Sequence, residues 1–286
     1  MKLSVIIPSR FGIPQSLKTS LSNQTYKSDE VIEVIGSALT VQRNEGIKKA
    51  TGDIILFLDD DITIKHHLFL FHFINTFYRY PNAVAVTGNV KVSMYKTNLL
   101  FAFLYEIYAR IFRLLYRGKG RYFLSGFSEN YHPEINTIIR GEMLYGCCMA
   151  FRKEIFNEFH FDESIENYMY GEDDFFAYPL SRKYDVYYNP FAICYDNRPY
   201  PKGKQAQKVR STFINLIKRH KKRNPTFRMK IAFVWSMIGF TIFKIMEAIV
   251  MRDMSIIKGM LLCFRKQPEV NLDEIRKSIS IKILQY

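Results

Sequence analysis

At 286 residues the chain can hold one large domain with an appended segment, or two small domains. Its apolar share of 48% excludes a globally disordered protein. A formal net charge of +14, with a pI of about 9.5, favours anionic partners: nucleic acid, acidic membrane surfaces or phosphorylated substrates. The charge is polarised, with nine Lys or Arg between Lys202 and Arg223 and an acidic stretch from Asp162 to Asp174.

The run Leu3 to Ile7 stops at Pro8, too short for a signal core, and reads as a first buried strand. Pro14 to Gln24 predicts a helix, Glu30 to Ile35 a second strand, Val41 to Ala50 a helix, and Ile54 to Leu58 a third strand. That third strand runs directly into Asp59-Asp60-Asp61. A helix is expected over His66 to Tyr80, a strand over Ala83 to Val92 and a long helix over Asn98 to Arg117. Further on come a strand at Tyr145 to Phe151, a short helix at Arg152 to Phe159 and a helix at Asp174 to Lys183. Two more strands follow, at Val186 to Tyr188 and Ala192 to Tyr195. Alternating strands and helices imply a mostly parallel α/β sheet flanked by helices, with ligands bound beyond the carboxyl ends of the strands. After about Pro199 the character changes to a basic tract and then Ile231 to Val250. The uncharged core of that segment, Ile231 to Phe243, is thirteen residues, short of the roughly 20 that span a membrane. Ile231, Trp235, Ile238, Ile242, Ile245 and Ile249 share one helical face opposite Ser236, Lys244 and Glu247, the pattern of an in-plane amphipathic helix. Residues 1–200 are therefore expected to form an α/β domain and residues 201–286 a basic, amphipathic helical, membrane-associating extension.

Four cysteines, Cys147, Cys148, Cys194 and Cys263, show no metal-ligand spacing and read as small buried residues in a reducing compartment. The histidines have no convincing metal spacing either. The acids do. Three successive carboxylates at a strand end repel one another unless a cation offsets them, and hard divalent cations take oxygen ligands shared with substrate phosphates. The alternative for Asp59 to Asp61 is a solvated turn that caps a helix. A second cluster, Gly171-Glu172-Asp173-Asp174, places carboxylates at a helix start, where one could act as a general base toward a hydroxyl and where capping is the competing reading.

In this order the segments SVIIPSR (4–10), QRNEGIKKATGDIILFLDDD (42–61), YGCCMAFRKEIF (145–156), FDE (161–163), GEDDFF (171–176) and YYNPFAICYD (187–196) resemble the inverting glycosyltransferases of family 2, over roughly residues 1–200. The resemblance implies a GT-A fold and a nucleotide-diphospho-sugar donor, UDP being the common nucleotide. It implies Mg²⁺ or Mn²⁺ as cofactor and single displacement with inversion, in cell-surface or lipid-linked glycan synthesis. Pro8, Ser9 and Arg10 would line the nucleotide base pocket with support from Arg43. Asp59 and Asp61 would be the paired acids of the DxD pattern, Asp61 the direct metal ligand, while Asp60 is a spacer or a ribose contact. Asp173 would be the base, Glu172 an orienting group and Asp174 the reserve base.

Two departures stand out. The acidic residue that usually closes the second strand is replaced by Ile35-Gly36-Ser37, which weakens the case for base recognition. Where many relatives carry a His near the metal this chain has Asp196, an oxygen donor able to take that part or simply to form a turn.

The basic tract and amphipathic helices suit an enzyme on the cytoplasmic face of a membrane, meeting anionic lipid and a glycan or lipid-linked acceptor. Packing against the sheet or oligomer contacts would also account for those helices. A nucleotidyltransferase would need a Gly-rich basic loop after the first strand, which Pro8 to Gly12 does not supply. No nucleic-acid-binding module surrounds the basic tract, so nucleic acid is not an expected partner.

Overall fold

The structure, a computed structural model, describes residues 1–92, 99–165, 171–196, 203, 205–265 and 271–285. Strand β1 (Leu3–Ser9) is buried along its whole length and lies parallel to both β2 (Glu30–Ile35) and β3 (Ile54–Leu58). Strands covered on both faces need apolar side chains at every position, hence the unbroken runs in the sequence. Helices α1 (Gln15–Ser22) and α2 (Leu39–Lys49) make the crossovers. A Cβ at Gly46 would stand 2.5 Å from Ile6, so only glycine allows α2 to lie this close to β1.

After β3 come the two-residue strand β4 (Ile62–Thr63), helix α3 (Phe69–Arg79), strand β5 (Ala83–Val92) and helix α4 (Leu99–Ile111). The short strands β6 (Arg117–Gly118), β7 (Asn130–Tyr131) and β8 (Ile139–Gly141) lead to β9 (Cys148–Arg152) and a 3-10 turn over Lys153–Asn157. Helix α5 (Glu172–Lys183) and the long strand β10 (Asp185–Asp196) come next. Helices α6 (Ala206–Lys222), α7 (Phe227–Val250), α8 (Ser255–Leu262) and α9 (Leu272–Lys277) follow, and β11 (Ser280–Leu284) closes the described chain.

The main sheet runs β11-β2-β1-β3-β9-β5-β10-β4, with β8 on β10. It is mixed: β9 lies antiparallel between β3 and β5, while β5 and β10 are parallel. Two apolar layers fill its faces, one around Leu3, Leu56 and Phe73, the other around Ile6, Phe57 and Phe176.

Three boundaries differ from the sequence reading. The helix expected to reach Arg117 stops at Ile111, because Arg113 takes a positive φ of 51° and the Leu114 N–H turns back to the Ala109 carbonyl; Asn98 lies outside the described residues. The two strands expected at Val186 and Ala192 are one strand with a register shift between Tyr188 and Ile193. Pro190 interrupts the ladder there, and the Asn189 side chain takes over, accepting from the Phe191 N–H and donating to the His72 carbonyl and the Thr76 hydroxyl. Strand β11 pairs with β2, so residues assigned by sequence to the extension belong to the sheet. The basic tract is not one exposed patch either. Arg219 and Arg223 reach back to the carbonyls of Gly126 and Phe123, and Lys222 pairs with Asp162 at 2.8 Å. Lys202 and Lys204 lie outside the described residues.

Helix α7 packs beside α4: Trp235 Nε1 donates to the Ile111 carbonyl, the Ser236 hydroxyl to the Phe112 carbonyl, and the Tyr108 hydroxyl to the Gly239 carbonyl. Ser236 is fully buried, whereas Ile231, Trp235, Ile238, Ile242, Ile245 and Ile249 are all exposed. The apolar face therefore points outward and the polar face inward, the reverse of a helix on a water-soluble surface. By length and composition α7, with a mean hydropathy of 1.7, is long and apolar enough to cross a membrane.

Candidate functional site

Both acid clusters line one cavity of about 900 Å³. Asp59 and Asp196 come to it from the strand ends, Glu172 and Asp173 from the first turn of α5. Gly171, at φ 87°, lets the chain turn sharply into that helix.

The turn between Tyr145 and Cys148 joins the clusters through its backbone. The Asp59 N–H donates to the Cys147 carbonyl at 3.2 Å, and the Gly146 N–H donates to Asp173 Oδ2 at 2.9 Å. Thr87 fixes the turn by accepting from the Tyr145 N–H and donating to the Cys148 carbonyl. Arg43 adds the side-chain link. Fully buried, it donates to Glu172 Oε1 at 3.0 Å and to the Gly146 carbonyl at 2.9 Å, and stands 3.7 Å from Asp59 Oδ1. Its guanidinium also lies over the Phe161 ring. The next residue, Asn44, exchanges hydrogen bonds with the backbone of Phe161 and donates to Glu163, so the RNEG and FDE segments hold each other. Arg43, which the sequence reading places in support of a base pocket, links the two acid clusters.

The three acids of α5 have separate fates. Asp173 faces the cavity. Burial pushes its carboxyl well above the ordinary range, and the charges of Glu172 and Asp174 push it further. Glu172 is buried and also raised, by burial against the opposing pull of Arg43. Asp174 turns away from the cavity: it pairs with Arg219 and accepts from the Tyr122 hydroxyl at 2.6 Å. Its carboxylate anchors α5 to α6, and Asp174, the reserve base of the sequence reading, is not among the residues that line the cavity.

At the other end, Pro8 is a buried mid-strand residue opposite Val34. The Ser9 hydroxyl donates to Asp60 and accepts from the N–H groups of Phe11 and Gly12, so Ser9 and Asp60 tie the loop after β1 to the triplet. Pro8, Ser9 and Asp60 are not among the residues that line the cavity, and Arg10 is exposed. Glu33, unremarked in the sequence, is buried here and accepts from the Ile13 N–H. The exposed Asp61 stands next to β4, whose Ile62 pairs with Asp196. The ladder thus brings Asp196 to the triplet.

Asp59, Asp61 and Asp196 offer only carboxylate oxygens, the donors that hard divalent cations take. Among the described residues no group of three or more His, Cys, Asp or Glu side chains is placed to hold a metal ion by itself. Two cationic residues missed by the sequence reading, Lys91 and Arg117, also line the cavity, beside Tyr145 and Asn130. Arg117 reads in the sequence only as the end of a polar helical stripe with Glu106, Arg110 and Arg113; the fold brings both residues to the cavity.

Residues 35–159 match the family model described as Glycosyl transferase family 2. No curated protein matches the chain. Among solved structures, the mannosyltransferase PcManGT from Pyrobaculum calidifontis, in complex with GDP-Man and Mn²⁺, is similar with a TM-score of 0.52 at 12% identity, over 93% of this chain and 88% of that one. TarS 1–349 from S. aureus gives a TM-score of 0.49 at 13% identity, over 87% of this chain and 74% of that one. A197 from STIV gives 0.41 at 16% identity, over 66% and 82% respectively. The likeness to PcManGT is one of fold.

Proposed function

We propose, from a chain whose residues 35–159 belong to glycosyl transferase family 2, that this protein moves a sugar from a nucleoside-diphosphate donor to an acceptor hydroxyl with inversion. The observation that carries the reading is the Arg43 clamp, which holds Asp59 and Glu172 against one cavity and leaves Asp173 facing into it.

Asp173 takes the acceptor's hydroxyl proton as that oxygen bonds to the anomeric carbon. The opposite bond, from carbon to diphosphate, breaks in the same displacement, and its electron pair leaves with the phosphate. A carboxyl raised by burial is a stronger base than an ordinary one, which suits this proton transfer. Glu172, held by Arg43, fixes the start of α5 and so the direction of Asp173. Lys91 and Arg117 supply positive charge to the cavity for the developing anion. Asp61, with Asp59 and Asp196 beside it, would hold Mg²⁺ or Mn²⁺, whose charge offsets that of the diphosphate.

The donor nucleotide expected from the sequence is UDP, and PcManGT carries GDP-Man, so both belong in the test. In calorimetry UDP or GDP binds in the presence of Mn²⁺, and Asp61→Asn weakens that binding on the order of tenfold or more. Binding that is the same with and without Mn²⁺, or indifferent to Asp61→Asn, removes the metal role from this residue.

The outward apolar face of α7, together with the exposed Phe103, Ile107 and Ile111 of α4, supports docking on a membrane, the cytoplasmic face being the side expected from the sequence. The acceptor is then a glycan or a lipid-linked molecule at that surface. The full chain co-sediments with anionic phospholipid vesicles, and the pair Ile238→Asp with Ile245→Asp releases it. Wild-type protein left in the supernatant would refute the docking.

A further inference from the structure

A second cavity, of about 400 Å³, opens between α4 and α7. It lies within the size range of ligand pockets. Its walls are Leu104, Tyr105 and Tyr108 from α4, and Phe243, Met246 and Val250 from α7. Glu247, also at the wall, pairs with Lys244 at 2.6 Å, so the groove presents no unmatched charge there. It sits within the apolar face that α4 and α7 share.

The groove adjoins the catalytic cavity. The hydroxyl of Tyr105, a groove residue, donates to the carbonyl of Leu115, a cavity residue, at 3.1 Å. At this junction Arg110, paired with Glu106 at 3.0 Å, donates to the Arg117 carbonyl at 3.3 Å, and the Arg117 side chain lines the cavity with Lys91. An apolar trough thus lies next to a cavity that holds the cations Lys91 and Arg117 and the carboxylate Asp173. That sequence of environments matches one kind of molecule: a long hydrocarbon chain, then an anionic group, then a hydroxyl-bearing or phosphate head.

We infer that the groove between α4 and α7 binds the hydrocarbon chain of an anionic membrane lipid, whose phosphate-bearing head enters the catalytic cavity past Leu115 and Arg117. Membrane docking presents the open side of the groove to the bilayer, so the chain enters laterally without passing through water. The lipid's role as acceptor rests on the glycosyl-transfer reading; occupancy of the groove by hydrocarbon does not.

The test uses the full chain in non-ionic detergent and two photoreactive probes, a long-chain alkyl phosphate and the matching alcohol, each with a diazirine at the chain end. Labelled peptides are mapped by mass spectrometry. Label is expected on the groove segments of α4 and α7. Leu104→Trp and Val250→Trp fill the groove from exposed positions and reduce labelling by about tenfold. Ile249→Trp, on the exposed face outside the groove, leaves it unchanged. Arg117→Gln weakens the phosphate probe and spares the alcohol. Shortening the chain by two methylenes lowers affinity by about tenfold.

Label scattered along the outer face of α7 and insensitive to both groove-filling variants overturns the inference. So does absence of label together with a change of oligomeric state in those variants, which would make the groove a contact for a second copy. Groove labelling in a protein that binds no nucleoside diphosphate keeps the lipid site and discards the transferase reading.

Discussion

Asp173→Asn retains nucleoside-diphosphate binding and loses sugar transfer by about 10²- to 10⁴-fold, the usual contribution of a positioned general base. The amide can still accept from the Gly146 N–H, so the turn that joins the clusters stays in place. The wild-type rate has an acidic limb governed by Asp173, and it lies above the ordinary carboxylate range because burial and two neighbouring acids raise this carboxyl. The same shift fixes a sign for stability. A carboxyl whose folded pKa is raised binds its proton more tightly folded than unfolded. Its ionisation therefore weakens the fold as pH rises from the unfolded carboxylate range through the raised value, and costs nothing below both. Asp173→Asn removes that cost, so the variant unfolds at higher denaturant than wild type at neutral pH and at equal denaturant in acid. Full transfer by the variant would move the base elsewhere; an unchanged difference in denaturant midpoint across pH would contradict the burial of its charge.

Arg43→Met destabilises the fold on the order of 3–5 kcal/mol, the cost of removing one partner from a buried ion pair. The guanidinium is fully buried, and its loss leaves Glu172 and Asp59 facing each other across the cavity. The loss shrinks as pH falls, since a protonated Glu172 needs no cation, and Glu172 is already raised. Arg43→Lys restores charge but not the fork that reaches both Glu172 and the Gly146 carbonyl, so its stability falls between the two. Urea unfolding of the three proteins at two pH values decides the matter. A Met variant within about 1 kcal/mol of wild type at neutral pH would mean that the clamp carries little weight.

The sequence makes some of this legible and hides the rest, for reasons that differ by residue. Strands β1 and β3 are plain because strands buried on both faces leave continuous apolar runs that end at Ser9 and Asp59. The acid clusters are plain because consecutive carboxylates are rare without a task. Which of three consecutive acids faces the cleft is not plain, since neighbours on a helix are turned by about 100° and only the docking of α5 sets the phase. Asp173 meets the cavity and Asp174 meets Arg219 for that reason. Arg43 was picked out by motif, but its task depends on Glu172, 129 positions away. Tyr145 and Gly146 looked like strand residues beside packed cysteines. Their backbone is the hinge of the site, a role that carries no composition signal. The end of α4 turns on one left-handed arginine, which nothing in local spacing announces.

Strand β11 has a consequence for how the protein is made. The ribosome delivers α6 to α8 before it delivers the strand that covers β2, so the hydrophobic helices emerge while one border of the sheet still lacks its neighbour. An uncovered border recruits other chains. On the membrane docking proposed above, a nascent molecule seated on lipid would hold its helices away from solvent and its sheet apart from other copies until β11 arrives.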